Sequence, residues 1–187
     1  MNTIITSKEI ILSASKELVR EAGMTSLNIR AVAQKCDISV GSVYNYFTSK
    51  DDLILATVES IWAEILELEQ GDYSKQSFEA AVKHFFDSAL FGSEKYSFFL
   101  DAHSMNMMNA NKSKGREVMN RFFGQIIRGM VTSLEHDPLV RSDAFSEEFT
   151  KEAFVGFVFS NIMTLIMNRK TSCDFLLKVI RRTIYIG

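Results

Sequence analysis

The sequence predicts an all-α fold of about nine helices, and three observations carry that prediction. Proline occurs once in 187 residues, at Pro138, and glycine nine times; average usage would put about nine prolines in such a chain. So few breakers favour long helices over a sandwich or barrel rich in turns. Apolar residues recur three and four apart over long stretches, with no alternating strand pattern and no internal repeat. The composition, 47% hydrophobic and 24% charged, is globular. It is too apolar for disorder and too charged for a multi-span membrane protein.

Each helix has its own signals. Thr6-Ser7-Lys8-Glu9 reads as a capping box, in which the Thr6 hydroxyl serves the Glu9 amide and the Glu9 carboxylate reaches back. Ile10, Ile11, Ala14, Leu18, Val19 and Ala22 follow at helical spacing, and Gly23 ends the helix in the left-handed conformation. Asn28 caps a short second helix from Ile29 to Cys36. Asp37-Ile38 makes a tight turn, and Ser39 caps a third short helix through about Tyr46. Thr48 caps a fourth, whose first turn carries Asp51 and Asp52, favoured there by the helix dipole. Its apolar stripe runs through Leu53, Ile54, Val58, Ile61, Trp62, Ile65 and Leu68.

After a linker-like break at Gln70-Gly71-Asp72, a fifth helix is expected over about 74–91, with Phe78, Val82, Phe85 and Ala89 inward. Gly92-Ser93 stops it and starts a short helix through Asp101. Residues 103–115 carry the weakest pattern. A helix follows over about 115–135, with Val118, Phe122, Ile126, Met130 and Leu134 inward. Pro138 lies in the next loop. The last two helices cover about 144–169 and from Ser172 to the C-terminus. The uncharged run from Ala153 to Asn168 falls short of the ~20 residues a membrane span needs, and reads as a deeply buried helix.

Net charge is −2, so nucleic-acid binding requires a local patch. Residues 1–50 hold six Lys/Arg against four Asp/Glu; the remainder holds fifteen against nineteen. Cys36 and Cys173 form no CxxC pair, which argues against a disulfide scaffold or a zinc site and for reduced thiols in the cytoplasm. Lys8 and Glu9 directly behind Ile4 and Ile5 leave no signal-peptide core.

Residues 26–50 are two short helices joined by a turn, the helix-turn-helix arrangement in which the second helix enters the major groove. On that second helix Ser39, Gly41, Ser42 and Asn45 put small or polar groups on one side. Small residues allow close approach to base edges, and hydroxyls and amides read them. Val43 and Phe47, four apart, face the core. Tyr44 and Tyr46 bring hydroxyls to the rim, within reach of phosphate oxygens. Lys50 brings a cation to the fourth helix's N-terminus, where free backbone donors also point: a phosphate site.

The segments Leu27-Asn28-Ile29-Arg30-Ala31-Val32-Ala33 and Ile38 through Leu53 resemble the signature of the TetR family of one-component transcriptional repressors. The resemblance is strong over residues 6–55. It implies that Asn28 and Arg30 meet phosphate and a base, that Ser39, Val40, Gly41, Ser42, Tyr44, Asn45 and Tyr46 form the recognition surface, and that Lys50 binds phosphate. Three positions depart from the family pattern: Asp37 where glycine is common, Asn28 for threonine and Tyr46 for histidine. They affect the operator sequence more than the fold. The implied layout is a DNA-binding head at 1–52, joined through helix four to a ligand-binding and dimerisation body at 53–187.

The body is rich in Phe and Met. Most of these residues are plain core, but an adaptable Met and Phe lining also suits a cavity for a largely apolar small molecule. Trp62, Phe85, Phe99, His103, Met107, Phe122 and Phe123 are the candidate lining residues. His84, His103 and His136 lack metal-ligand spacing, and no metal or cofactor is expected. Ala153, Gly156, Ser160 and Thr164 make a row of small residues that admits another helix, with Phe157 beside them. Phe175, Leu176, Val179 and Ile180 form the apolar side of the last helix. These two helices from two subunits would pack as a four-helix dimer interface. No GxSxG elbow, P-loop, dinucleotide fingerprint or HExxH occurs, so an enzyme is not expected. The expected function is a homodimeric, ligand-responsive regulator, most simply a repressor of a palindromic operator. The competing expectation, a helical binding module with a degenerate helix-turn-helix, sits poorly with the retention of Gly41, Tyr44 and Lys50.

Overall fold

A computed structural model describes residues 6–65, 77–96 and 114–185; in the helix that begins at Lys114 the side chains of residues 114–116, 118, 119 and 122 fall outside that description. The described residues form eight α-helices: α1 (Lys8–Ala22), α2 (Ile29–Lys35), α3 (Val40–Tyr44), α4 (Lys50–Ile65), α5 (Phe78–Lys95), α6 (Lys114–Glu135), α7 (Lys151–Met167) and α8 (Asp174–Ile184). Among them there is no strand, only an isolated antiparallel bridge between Val140 and Tyr185. The chain divides into two compact units: Met1–Ile65 with Ser93–Met119, and Leu66–Gly92 with Asn120–Gly187.

In the first unit α1 packs on α2 and α4, and α2 packs on α3. Ile11 and Val19 of α1, Val32 of α2, Val43 of α3, and Leu53, Ile61 and Trp62 of α4 are buried together in its core. The capping chemistry shifts by one residue at two helices. Ser7, not Thr6, is the N-cap of α1: its backbone is extended and its Oγ accepts from the Ile10 amide. At α4 the Ser49 Oγ accepts from the Asp52 amide at 3.0 Å, while Thr48 donates its hydroxyl to the Asp52 carboxylate. A cap must sit three residues before the amide it serves; sequence alone leaves adjacent hydroxyls in competition. Asn28 and Ser39 cap α2 and α3 as expected, each through a 3.0 Å bond.

Two turns shape this unit. Gly23 ends α1 at φ 74°, ψ 178°, a region essentially restricted to glycine and distinct from the expected left-handed helical well. Asp37 follows α2 at φ 53°. There the Ile38 amide donates to the Ala33 carbonyl and the Asp37 amide to the Gln34 carbonyl, the paired bonds of a Schellman cap. Arg169 repeats the device after α7, again at φ 53°.

Glu64 ties α4 to its neighbours. It accepts from Lys16 of α1 at 2.5 Å, from the Tyr96 hydroxyl at 2.9 Å, and from Lys95. Partial burial alone would raise its carboxyl pKa, but the three hydrogen bonds override this and bring it down to about 2.

In the second unit the core is a run of aromatic and β-branched side chains. Phe78 packs against Phe154, and Phe159 meets both Phe85 and Phe123. Buried Asp137 accepts from the Phe78 amide at 2.6 Å, the Leu139 amide at 2.9 Å and the Tyr185 hydroxyl at 2.5 Å. One carboxylate thus caps α5 and fastens the loop after α6 to the end of α8.

Several boundaries differ from the sequence expectation. Gly92 and Ser93 do not stop α5, which runs on to Lys95; helical glycine costs only about 1 kcal/mol, which packing overrides. Of the short helix expected from Gly92-Ser93 to Asp101, residues 97–101 lie outside the described residues, as do the break at 70–72 and residues 103–113 of the weakly patterned 103–115 segment. α7 begins at Lys151, with Thr150 as N-cap, and not near 144. Residues 144–149 instead form a turn in which Phe145 and Phe149 stack at 5.7 Å and both meet Phe154 edge-on. α8 starts at Asp174, two residues later than expected, and the Asp174 amide donates to Ser172 Oγ. No helix among the described residues is long and apolar enough to cross a membrane.

The Asp37 turn yields a test by chemical denaturation. A β-branched side chain in the left-handed region costs roughly 1–2 kcal/mol, so Asp37→Val should lower stability by that amount. Asp37→Gly removes the strain and should hold or raise stability, within about 1 kcal/mol, because the freer unfolded chain offsets part of the gain.

Candidate nucleic-acid interface and cleft

α3 has five residues and two sides. Val43 and, just beyond the helix, Phe47 are buried at 0% and 3% exposure. Ser39, Val40, Gly41, Tyr44, Asn45 and Tyr46 are exposed; Ser42 is half-buried, with its Oγ 2.9 Å from that of Ser39. Val40 and Tyr44 stand out at 41% and 49% exposure, large for apolar and aromatic side chains. Gly41 has no conformational or steric need to be glycine: a Cβ there would meet only Ser39 Oγ, at an ordinary 3.6 Å. Its bareness leaves backbone open on the outward side.

Of the ten residues predicted to face nucleic acid, Asn28, Ser39, Ser42 and Tyr46 also have structural partners, Ser39 and Ser42 each other. Asn28 is half-buried and caps α2 through Oδ1 while its amide donates to the Ser26 carbonyl. Tyr46 donates its hydroxyl to the Thr6 carbonyl at 2.7 Å, which joins the end of the motif to the start of α1. Its oxygen keeps acceptor capacity only, so a phosphate contact would require that bond to break. Lys8, 5.8 Å above the Phe47 ring, reinforces the same junction.

The charges sort into two groups. Lys35 is held by Glu17 and Glu21 at 3.3 and 3.1 Å, and Lys16 by Glu64. Arg30 and Lys50 are exposed and have no acidic partner among the described residues. Lys8 and Arg20 likewise have no ion pair among the described residues, so the two cations predicted to meet phosphate or base are among four left uncompensated in the first fifty residues.

In the second unit a cleft of about 110 Å³ lies between α5 and α6. Phe78, Ala81, Val82 and Phe85 line it from α5, and Ile126, Gly129, Met130 and Ser133 from α6. Both sets follow i, i+3, i+4, i+7 spacing, one face of each helix. Of the predicted lining residues, Phe85 is here. Phe123 packs on Phe159 at 5.4 Å, and Trp62 is buried in the other unit. Phe99, His103, Met107 and the side chain of Phe122 lie outside the described residues. Sequence reasoning takes Phe78, Val82, Ile126 and Met130 as inward core and not as lining, and misses Ala81, Gly129 and Ser133 altogether. The signal of these last three is the plainest: small or polar residues inside two apolar stripes. Among the described residues no group of three His, Cys, Asp or Glu is placed to hold a metal ion. Cys36 and Cys173 are free thiols that burial pushes upward in pKa.

The predicted dimer residues divide by face. Ala153, Phe157, Ser160 and Thr164 form an exposed stripe on α7, with Gly156 half-buried beside them. Phe157 is 50% exposed, and Phe175 on α8 is 81% exposed. Val179 is half-buried. Leu176 and Ile180 instead point into the unit's own core, at 5% and 0% exposure. The helical turn puts Leu176, Ile180 and Ile184 between about 100° and 180° around α8 from Phe175.

Comparison with known proteins places the motif. Residues 11–57 match the family model of bacterial regulatory proteins, tetR family. Over 48 residues the chain is 40% identical to the HTH-type transcriptional regulator UidR of Escherichia coli K12 and 38% identical to the HTH-type transcriptional repressor KstR of Rhodococcus jostii RHA1. These alignments cover 26% of this chain and 24% and 23% of those proteins, so the chain matches about a quarter of the length of these curated relatives. The crystal structure of the multidrug binding protein EbrR complexed with proflavin matches 95% of this chain and 99% of that one, at 14% identity and a TM-score of 0.64. That likeness concerns the fold.

The geometry at Gly41 makes a stability prediction. Gly41→Ala introduces no clash and removes a helix-interior glycine, so it should raise stability by about 0.5–1 kcal/mol in a denaturant titration. A loss of stability would mean that the bare backbone serves the fold.

Proposed function

For a chain whose residues 11–57 match the family model of bacterial regulatory proteins, tetR family, we propose a cytoplasmic, ligand-responsive transcriptional regulator that represses from a palindromic operator. Residues 1–52 are the DNA-binding head and 53–187 the ligand-binding and dimerisation body. It acts by binding and not by catalysis. The observation that carries this reading is the outward side of α3. Ser39, Val40, Gly41, Tyr44 and Asn45 are exposed there, and Arg30 and Lys50 are cations without acidic partners among the described residues. On a protein of net charge −2, such a local patch is what brings DNA to one surface.

Each group has a role set by its chemistry. Lys50 and the first amides of α4 bind a phosphate, helped by the helix dipole. Arg30 has the planar fork suited to guanine or a phosphate. Ser42 and Asn45 read base edges, Val40 offers an apolar contact to a thymine methyl, and Tyr44 reaches a phosphate. Gly41 lets the backbone come close.

The exposed α7 stripe supports a homodimer. Pairing it across a two-fold axis covers Phe157 without moving the core, and α8 offers Phe175 as a further exposed apolar side chain. The dimer carries two recognition helices about 34–36 Å apart, or a multiple, which is why the operator is expected to be palindromic. The cleft between α5 and α6 supports a small-molecule effector, as does the resemblance of fold to a protein crystallised with proflavin. Ligand and operator favour different states, and each weakens the other's binding by the same factor.

Selection from random duplexes should enrich a palindrome; recovery of no consensus would refute the reading. On the selected duplex Lys50→Ala should weaken binding to all sequences about equally and lower the salt slope by about one. Gly41→Ala should weaken binding despite its intact fold, and Asn45 variants should change the preferred bases.

Gly156 separates dimerisation from folding, because a Cβ there meets no atom within 4 Å. Gly156→Phe should leave the protomer folded, shift the sedimenting species from dimer to monomer, and reduce operator affinity. A variant that stays dimeric would move the interface elsewhere.

A further inference from the structure

Ser133 is the single polar side chain in the α5–α6 lining. It is 8% exposed, and its Oγ has no hydrogen-bond partner among the described residues. Other helical hydroxyls of this chain do otherwise. Ser15, Thr57, Thr132, Thr164 and Thr183 each donate to the carbonyl four residues back, at 2.7–3.1 Å. Ser133 forgoes that bond and keeps an unsatisfied donor and acceptor in a site otherwise made of hydrocarbon and aromatic rings, where desolvation is uncompensated. Ala81 and Gly129 provide the room; a Cβ on Gly129 would meet no atom within 4 Å.

Size and polarity narrow the occupant. The cleft measures about 110 Å³, whereas an apolar cavity of roughly 150 Å³ holds benzene. It is smaller than that benzene cavity and opens at exposed Gly129, so a single six-membered ring, part of it left at the mouth, is the largest occupant that fits. No charged side chain lines it, so a carboxylate or ammonium would be buried unpaired. We propose that the α5–α6 cleft binds a neutral, single-ring aromatic with one hydroxyl or carbonyl, and that Ser133 pairs with that group. That this occupant acts as an effector rests on the regulator reading; the site's chemistry does not.

The probes are phenol and its isostere benzene, titrated calorimetrically at millimolar concentration into the full chain. Phenol should bind about fivefold more tightly than benzene, the factor one hydrogen bond supplies. Ser133→Ala should erase that preference and leave benzene binding in place. Gly129→Leu, which fills the cleft, should weaken both probes more than tenfold, with thermal melting verifying that the variant is folded. The proposal is overturned if phenol does not bind, if Ser133→Ala leaves the preference unchanged, or if a folded Gly129→Leu binds both probes as before. Failure to bind accompanied by a Ser133→Ala protein of higher melting temperature would also overturn it, marking Ser133 as a buried defect. Operator affinity measured in the same samples separates the two claims. Ser133-dependent phenol binding with unchanged operator affinity supports the site and overturns its role as effector site. Operator release by other ligands, with no phenol bound, supports the regulator and overturns the site.

Discussion

A helix of five residues does not persist in water by itself, because nucleation costs more than one turn returns. α3 is such a helix, and the surface proposed to read DNA depends on its being held. Burial of Val43 and Phe47 does the holding on one side, and the Schellman turn at Asp37 sets the direction in which the chain enters it. Two buried side chains and one left-handed residue free every other position of α3 from structural duty. That is why Gly41, Tyr44 and Asn45 are available outward.

Electrostatics refines the same surface. The first fifty residues have a small positive excess, yet the excess is not spread evenly. Glu17 and Glu21 compensate Lys35, and Glu64 compensates Lys16. Lys8, Arg20, Arg30 and Lys50 remain unpaired among the described residues; of these, Arg30 lies on α2 and Lys50 opens α4, just after the motif. Internal ion pairs therefore take Lys16 and Lys35 out of the local field, while Arg30 and Lys50 keep their full charge beside α3 without any large net charge.

The second unit separates its tasks by helix face. Inward residues of α7 and α8 build the core around Phe154, Phe159 and Ile180. The outward stripe of α7 carries small residues and Phe157, and α8 exposes Phe175. Between α5 and α6 the packing is left incomplete at Ala81 and Gly129, and the unpaired hydroxyl of Ser133 lies in the gap. Close packing is the rule in protein interiors, so a gap lined by one polar and seven apolar or bare residues is the kind of defect that a ligand fills.

The sequence by itself determined the helical class, the order of the helices and the helix-turn-helix motif, since these follow from local spacing, capping residues and the scarcity of breakers. It also singled out Asn28 and Ser39 as caps and Asp37 as the unusual turn residue. Tertiary structure decided what local rules leave degenerate. It chose Ser7 over Thr6 and Ser49 over Thr48, because only one of two adjacent hydroxyls can reach the amide three residues on. It carried α5 through Gly92, where packing outweighs a weak propensity. It gave the Tyr46 hydroxyl to Thr6, forty residues away, a contact no periodicity encodes. It turned Leu176 and Ile180 inward while leaving Phe175 exposed, although all three read as one apolar side. It also joined Ser133 to a cleft with Ala81, because which helices face each other is a property of the folded chain and not of either stripe alone.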